Sequence, residues 1–151
     1  MAKPESKFWQ EVKKFIPDIS FTRIENLSSL GTPDVLCQNK NGTFFTLELK
    51  VTKTNSVRLS PHQISFHIRH PKNTFILVKP LAPSLSKLSD KASSGKDSSL
   101  SKLSDKNLGG KDSSCVMLYD GKQVLDLVSR GLKLPARCQG LASCYDLFQT
   151  L

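Results

Sequence analysis

The sequence predicts an α/β domain whose elements run helix, three strands, helix, strand and, past an inserted segment, strand and helix. Three observations predict it. Two helical stretches are bracketed by prolines, an Asn-Gly pair sits between two strand-like runs, and a continuous apolar run follows the second helix. The chain of 151 residues suits one domain spanning residues 1–151, and its 38% hydrophobic content supplies a core.

Each element has its own signal. Pro4 opens a helix expected from Glu5 to Ile16, and Pro17 stops it. Phe8, Trp9, Val12, Phe15 and Ile16 form one apolar stripe, with Glu5 in its middle and Glu11 toward its edge. An acid centred on a buried stripe is costly unless paired, which singles out Glu5. A strand is expected from Ile19 to Glu25, followed by a polar turn. Val35-Leu36-Cys37 and Thr43 to Val51 then flank Asn41-Gly42, a strong hairpin signal. On the second of these strands Phe45, Leu47, Leu49 and Val51 share one face, while Phe44, Thr46, Glu48, Lys50 and Thr52 share the other. Ser60-Pro61 supplies an N-cap and first-turn proline for a helix ending at His70, before Pro71. Thr74 to Val78, apolar throughout, reads as a central strand. Cys115 to Tyr119 reads as a strand and Lys122 to Arg130 as a short helix. The last ~15 residues fit neither period cleanly.

Residues 84–98 recur as 99–113 with twelve of fifteen positions identical. Ten of these thirty residues are Ser, too polar a composition to offset the entropy of ordering. The pair reads as a duplicated, low-complexity insertion in a surface loop, because two copies are too few for a solenoid.

Several classes are excluded. No apolar run reaches the ~18 residues of a membrane span, and the N-terminus lacks the apolar core of a signal peptide. Cys37, Cys115, Cys138 and Cys144 form no CxxC pair and have no His at zinc-finger spacing, so a reduced cytoplasmic protein is expected. Charge points elsewhere. The net charge is +9, and from Lys50 to Lys79 six basic residues occur without one acid. Lys53, Arg58, His62, Arg69 and Lys72 in this tract are candidate contacts to a polyanion, nucleic acid being the natural one. A merely soluble basic surface is the plainer alternative.

The candidate chemistry sits on the hairpin. Pro33-Asp34 opens its first strand, and Glu48-Leu49-Lys50 lies on the second with Glu48 and Lys50 on one face. The hairpin brings Asp34 alongside them. Two carboxylates and a backbone carbonyl, such as that of Leu49, make an oxygen-rich site suited to Mg²⁺ or Mn²⁺. A lysine beside them orients water and stabilises charge building on a phosphate. An amphipathic hairpin carrying an ordinary Glu48–Lys50 surface pair is the competing explanation. His67 and His70, three apart on one helix, suit zinc or general-base chemistry, but without a third ligand they read as imidazoles near phosphates on a partly exposed helix.

Gly31-Thr-Pro-Asp34 followed by Leu47-Glu-Leu-Lys50-Val-Thr-Lys resembles the PD-(D/E)xK nuclease superfamily, and most of all VRR-NUC-type phage nucleases and Holliday junction resolvases. Leu59-Ser-Pro-His-Gln63 resembles the opening of the helix that follows ExK in VRR-NUC domains, and Glu5-Ser6 resembles their N-terminal acid. The likeness covers residues 5–79. It implies a restriction-endonuclease-like αβββαβ core with a central mixed sheet flanked by helices. A divalent metal on Asp34, Glu48 and the Leu49 carbonyl, Lys50 aiding water attack, and Gln63 supporting the scissile phosphate are further implications. Glu5 is the implied helix acid, with Glu11 and Glu25 as alternatives. The implied activity is a Mg²⁺-dependent endonuclease on branched DNA or Holliday junctions, active in DNA recombination as a homodimer in the host bacterial cytoplasm. An inactive basic DNA-binding module is the alternative function.

Overall fold

The computed structural model describes residues 3–25, 30–81 and 115–151, so the repeat at 84–113 lies outside the described residues. Helix α1 (Pro4–Phe15) is followed by β1 (Ser20–Arg23), β2 (Val35–Gln38), β3 (Phe44–Thr52), α2 (Pro61–Arg69) and β4 (Thr74–Pro80). Beyond the undescribed segment come β5 (Met117–Asp120), α3 (Val124–Arg130), β6 (Cys138–Gln139) and α4 (Leu141–Gln149). The six strands make one mixed sheet in sequential order, β1 to β6. Every neighbouring pair is antiparallel except β3 and β4, which run parallel because α2 carries the chain back between them. Among the described residues, no helix is long and apolar enough to cross a membrane.

Helices cover both faces. On one face Phe8, Trp9 and Val12 of α1 and Leu141, Cys144 and Phe148 of α4 meet Val35, Cys37, Phe45, Leu47, Leu49, Phe75 and Leu77. On the other, Ile76, Val78 and Tyr119 meet Val124 and Leu127 of α3, with Val57 and Leu134. Strand β4 faces both layers, with Phe75 and Leu77 on one side and Ile76 and Val78 on the other, hence its unbroken apolar run. The terminal segment expected to be ambiguous forms β6 and α4. The 3₁₀ turn Gly121–Gln123 replaces the first turn of the expected helix at Lys122.

The hairpin between β2 and β3 is real, but its loop differs from a two-residue Asn-Gly turn. Asn39 N–H donates to the Thr43 carbonyl at 3.1 Å, enclosing a longer loop. The buried Asn39 side chain organises it, its Oδ1 accepting from the N–H groups of Asn41 (3.0 Å) and Thr43 (2.9 Å). Its Nδ2 donates to the Phe148 carbonyl at 2.9 Å, fastening the loop to the end of α4. Gly42 supplies the positive φ, +79°, that closes the turn. The Asn-Gly signal therefore marked the right place for a partly different reason.

Replacing Asn39 by Ala strands these N–H and C=O groups and should lower stability by about 2–3 kcal/mol in urea unfolding. The exposed Asn41→Ala should cost under ~1 kcal/mol. Equal costs at both positions would contradict this account of the loop.

Candidate active site

The site lies past the end of β2, where β3 continues without that neighbour. The last β2–β3 pair is Val35↔Leu47, and one further step of this register sets Asp34 opposite Glu48 on the α2 face. Backbone bonds fix Asp34 there. Its carbonyl accepts from Ile24 N–H at 2.9 Å, and its Oδ2 accepts from Leu49 N–H at 2.8 Å. A strand residue's N–H and C=O project to the same edge, so the Leu49 carbonyl faces the same gap as Asp34. The preceding loop is seated closely. Gly31, at φ +86°, lies so near the first turn of α2 that a Cβ would stand 2.4 Å from the His62 carbonyl. Only glycine fits there, which accounts for the start of the Gly31-Thr-Pro-Asp34 run.

Glu48 is buried, with 1% of its side chain exposed. Its Oε1 receives Lys50 Nζ at 2.9 Å and Gln63 Nε2 at 2.5 Å. Its Oε2 is equally buried and meets no donor, only the Asp34 carboxylate, to which Glu48 can hydrogen-bond only when it carries a proton. Burial, reinforced by the nearby Asp34 charge, pushes the carboxyl up to about 7 against the pull of Lys50. Gln63 is itself held. It occupies the third position of α2, where its N–H donates to Ser60 Oγ (3.2 Å) and its Oε1 accepts from Ser60 N–H (2.9 Å). This capping box leaves the Gln63 amide nitrogen aimed at Glu48. The Ser-x-x-Gln signature of this box is local to the sequence, in Ser60-Pro-His-Gln63.

Glu5 corrects an expectation. It is exposed, because the first turn of α1 precedes the buried stretch that starts at Phe8. It nevertheless lines both clefts at the site, one with Trp9, Arg23, Asp34 and Leu49, the other with Lys50, Lys53 and Arg58. The second cleft encloses about 350 Å³. Glu11 is committed elsewhere, in an ion pair of 2.5 Å with Lys79, and Glu25 is largely exposed beside Arg23 at 3.9 Å. Of Glu5, Glu11 and Glu25, only Glu5 borders these clefts.

The basic tract does not form one surface. Lys53 and Arg58 line the larger cleft, and the exposed His62 sits on the first turn of α2 beside Gly31. Helix α2 then runs back along the sheet for about 13 Å. Its last residue, Arg69, and nearby Lys72 lie toward Thr74, the partner of Thr46 at the opposite end of the β3–β4 pair. Exposed as both are, they stand apart from the site. His67 also departs from the expectation of an exposed imidazole. It is 1% exposed, with Nδ1 3.3 Å from Thr74 Oγ1, and burial pushes it down to about 4, so it is a neutral packing residue.

Among the described residues, no group of three or more His, Cys, Asp or Glu side chains is arranged to hold a metal ion. The donor set here is instead two carboxylates and a main-chain carbonyl. The orphaned Glu48 Oε2, facing a second carboxylate, fits a hard divalent cation, which prefers oxygen ligands. No family model and no curated protein matches this chain.

The raised Glu48 carboxyl has a consequence for stability without metal. Its folded value of about 7 exceeds its ordinary 4.5, so its stabilising contribution is complete below pH 4.5 and is lost as pH rises through 7. Glu48→Gln should therefore unfold at higher urea than the parent above pH 7, by about 2–3 kcal/mol. The gap should close toward pH 4.5. His67 titrates oppositely over an overlapping range in both proteins, so the comparison isolates Glu48. A variant less stable than the parent at pH 8 would contradict the assignment.

Proposed function

We propose that the chain is a metal-dependent DNA endonuclease of the PD-(D/E)xK type, built on a restriction-endonuclease-like core. The observation that carries this reading is the condition of Glu48. One oxygen is fixed by Lys50 and Gln63, the other is buried without a partner, and a second carboxylate stands opposite. A surface salt bridge needs no such burial, and an unsatisfied buried carboxylate oxygen costs stability. The order α1-β1-β2-β3-α2-β4 and the placing of Glu48 and Lys50 on β3 support the same reading.

Asp34, Glu48 and the Leu49 carbonyl would hold Mg²⁺ or Mn²⁺, which when bound supplies a Lewis acid and lowers the pKa of coordinated water. Each residue of the chain then has a definite task. Leu49 N–H and the Ile24 bond keep Asp34 oriented, and Gln63 keeps Glu48 from turning away. Lys50, partly exposed beside the larger cleft, orients the attacking water and balances negative charge developing on the phosphate. The water oxygen bonds to phosphorus and surrenders its proton, and the leaving oxygen gains one as its P–O bond breaks. Lys53 and Arg58 draw the DNA backbone into the cleft by charge. Glu5 adds a third carboxylate at the meeting point of the two clefts. Branched DNA as the substrate, a homodimer as the acting species and a cytoplasmic setting follow from the resemblance of the Pro-Asp and Glu-Leu-Lys motifs.

Four-way junction, flap, linear duplex and single strand, offered with about 10 mM Mg²⁺, test the reading. Cutting should favour the junction and fall by at least ~10³-fold in Asp34→Ala and Lys50→Ala, which should still bind DNA without metal. Cutting of every substrate would remove the junction preference alone. Binding without cutting would leave an inert DNA-binding module, and undiminished cutting by both variants would overturn the site.

A further inference from the structure

We infer that Cys138 and Cys144 form a dithiol modification site that hydrogen peroxide converts to an intramolecular disulfide. Both are free thiols, and their sulfurs stand 3.4 Å apart. Cys138 lies on β6, the terminal strand of the sheet, and Cys144 on α4. Gly140, at φ +82°, turns the chain sharply between them, so that strand and helix meet within six residues. A disulfide needs its sulfurs at ~2.05 Å, so forming the bridge brings the two together by about 1.3 Å.

The two thiols are unequal. Cys144 is fully buried, whereas Cys138 is partly exposed. Contact with Cys144 holds the Cys138 thiol below its ordinary range against partial burial; the Arg137 guanidinium adds to the effect and Asp120, paired with Arg137 at 2.9 Å, opposes it. The same contact, with burial, drives Cys144 upward. Cys138 is thus the accessible nucleophile and Cys144 the resolving thiol behind it. Cys37, sealed in the core, is held above the ordinary range by burial alone.

The chemistry balances. The Cys138 thiolate attacks one peroxide oxygen, the O–O bond breaks, and sulfenic acid and hydroxide form, the latter taking a proton to become water. Cys144 sulfur then attacks Cys138 sulfur, the S–O bond breaks, and a second water leaves with the Cys144 proton. Two electrons pass from the sulfurs to the peroxide. The product ties β6 to α4, the helix whose last turn holds Asn39 and whose Phe148 stacks on Phe45 at 4.7 Å behind β3. This inference is independent of the nuclease reading.

Tryptic mapping of the peroxide-treated full chain tests it directly. Residues 138–151 contain no Lys or Arg, so cleavage after Arg137 leaves both cysteines in one peptide. After oxidation and alkylation in denaturant, that peptide should be unalkylated and lighter than its reduced form by two hydrogens. Reductant should restore both thiols, while Cys37 and Cys115 remain alkylated throughout. In Cys144→Ser the reaction should stop at a Cys138 sulfenic acid that dimedone traps. Separate sulfinic acids, a bridge to Cys37, Cys115 or a second copy, or two thiols that stay alkylatable would each overturn the proposal. The parent peptide decides the matter even where the serine variant fails to fold.

Discussion

A carboxylate buried beside a second carboxylate is the constraint around which the described part of this protein is arranged. Burial and the Asp34 charge oppose ionisation of Glu48, and Lys50 and Gln63 counter them at one oxygen only. Each supporting residue depends in turn on a feature of the fold. Lys50 shares a face with Glu48 because strand side chains alternate. Gln63 reaches it because the connection through residues 53–60 brings the first turn of α2 back beside β3, and its capping box fixes the amide. Asp34 stands opposite because β2 begins only at Val35, one register step short of Glu48.

The parallel β3–β4 pair explains why the chemistry collects at one end. A parallel connection requires a crossover, and α2 supplies it, placing its N-terminus at the carboxyl end of β3. The Gly31 loop packs on that N-terminus, carrying Asp34 with it. On the reverse face of the sheet, α1 and α4 share one core with β3, so the strand bearing the site is supported from behind by Phe45, Leu47 and Leu49. Packing on one side and polar organisation on the other are properties of the same nine residues.

Much of this was legible in the sequence, and the exceptions are instructive. Prolines bracket α1 and α2, period-two alternation marks β3, and unbroken apolar character marks β4, each through a local rule. The role of Asn39 was hidden because it depends on carbonyls more than a hundred positions away. A helical wheel gave the phase of Glu5 correctly but carried no information on where along the helix the covering layer ends, so it implied burial where the structure shows exposure. The basic tract looked continuous because sequence order conceals the reversal by α2, which carries Arg69 and Lys72 away from Lys53 and Arg58. Strand β6 is too short to show a period, and α4, although as long as α2, has neither the side-chain N-cap nor the bracketing prolines that mark α2.

Calorimetric titration of the full chain with Mn²⁺ at pH 8 tests the central claim most directly, since it asks whether the unpartnered oxygen of Glu48 is a ligand. The account predicts saturable binding by the parent protein, lost in Glu48→Gln and Asp34→Ala although both variants remain folded by circular dichroism. Binding of equal affinity in the Glu48→Gln variant, or no binding by the parent, would contradict it.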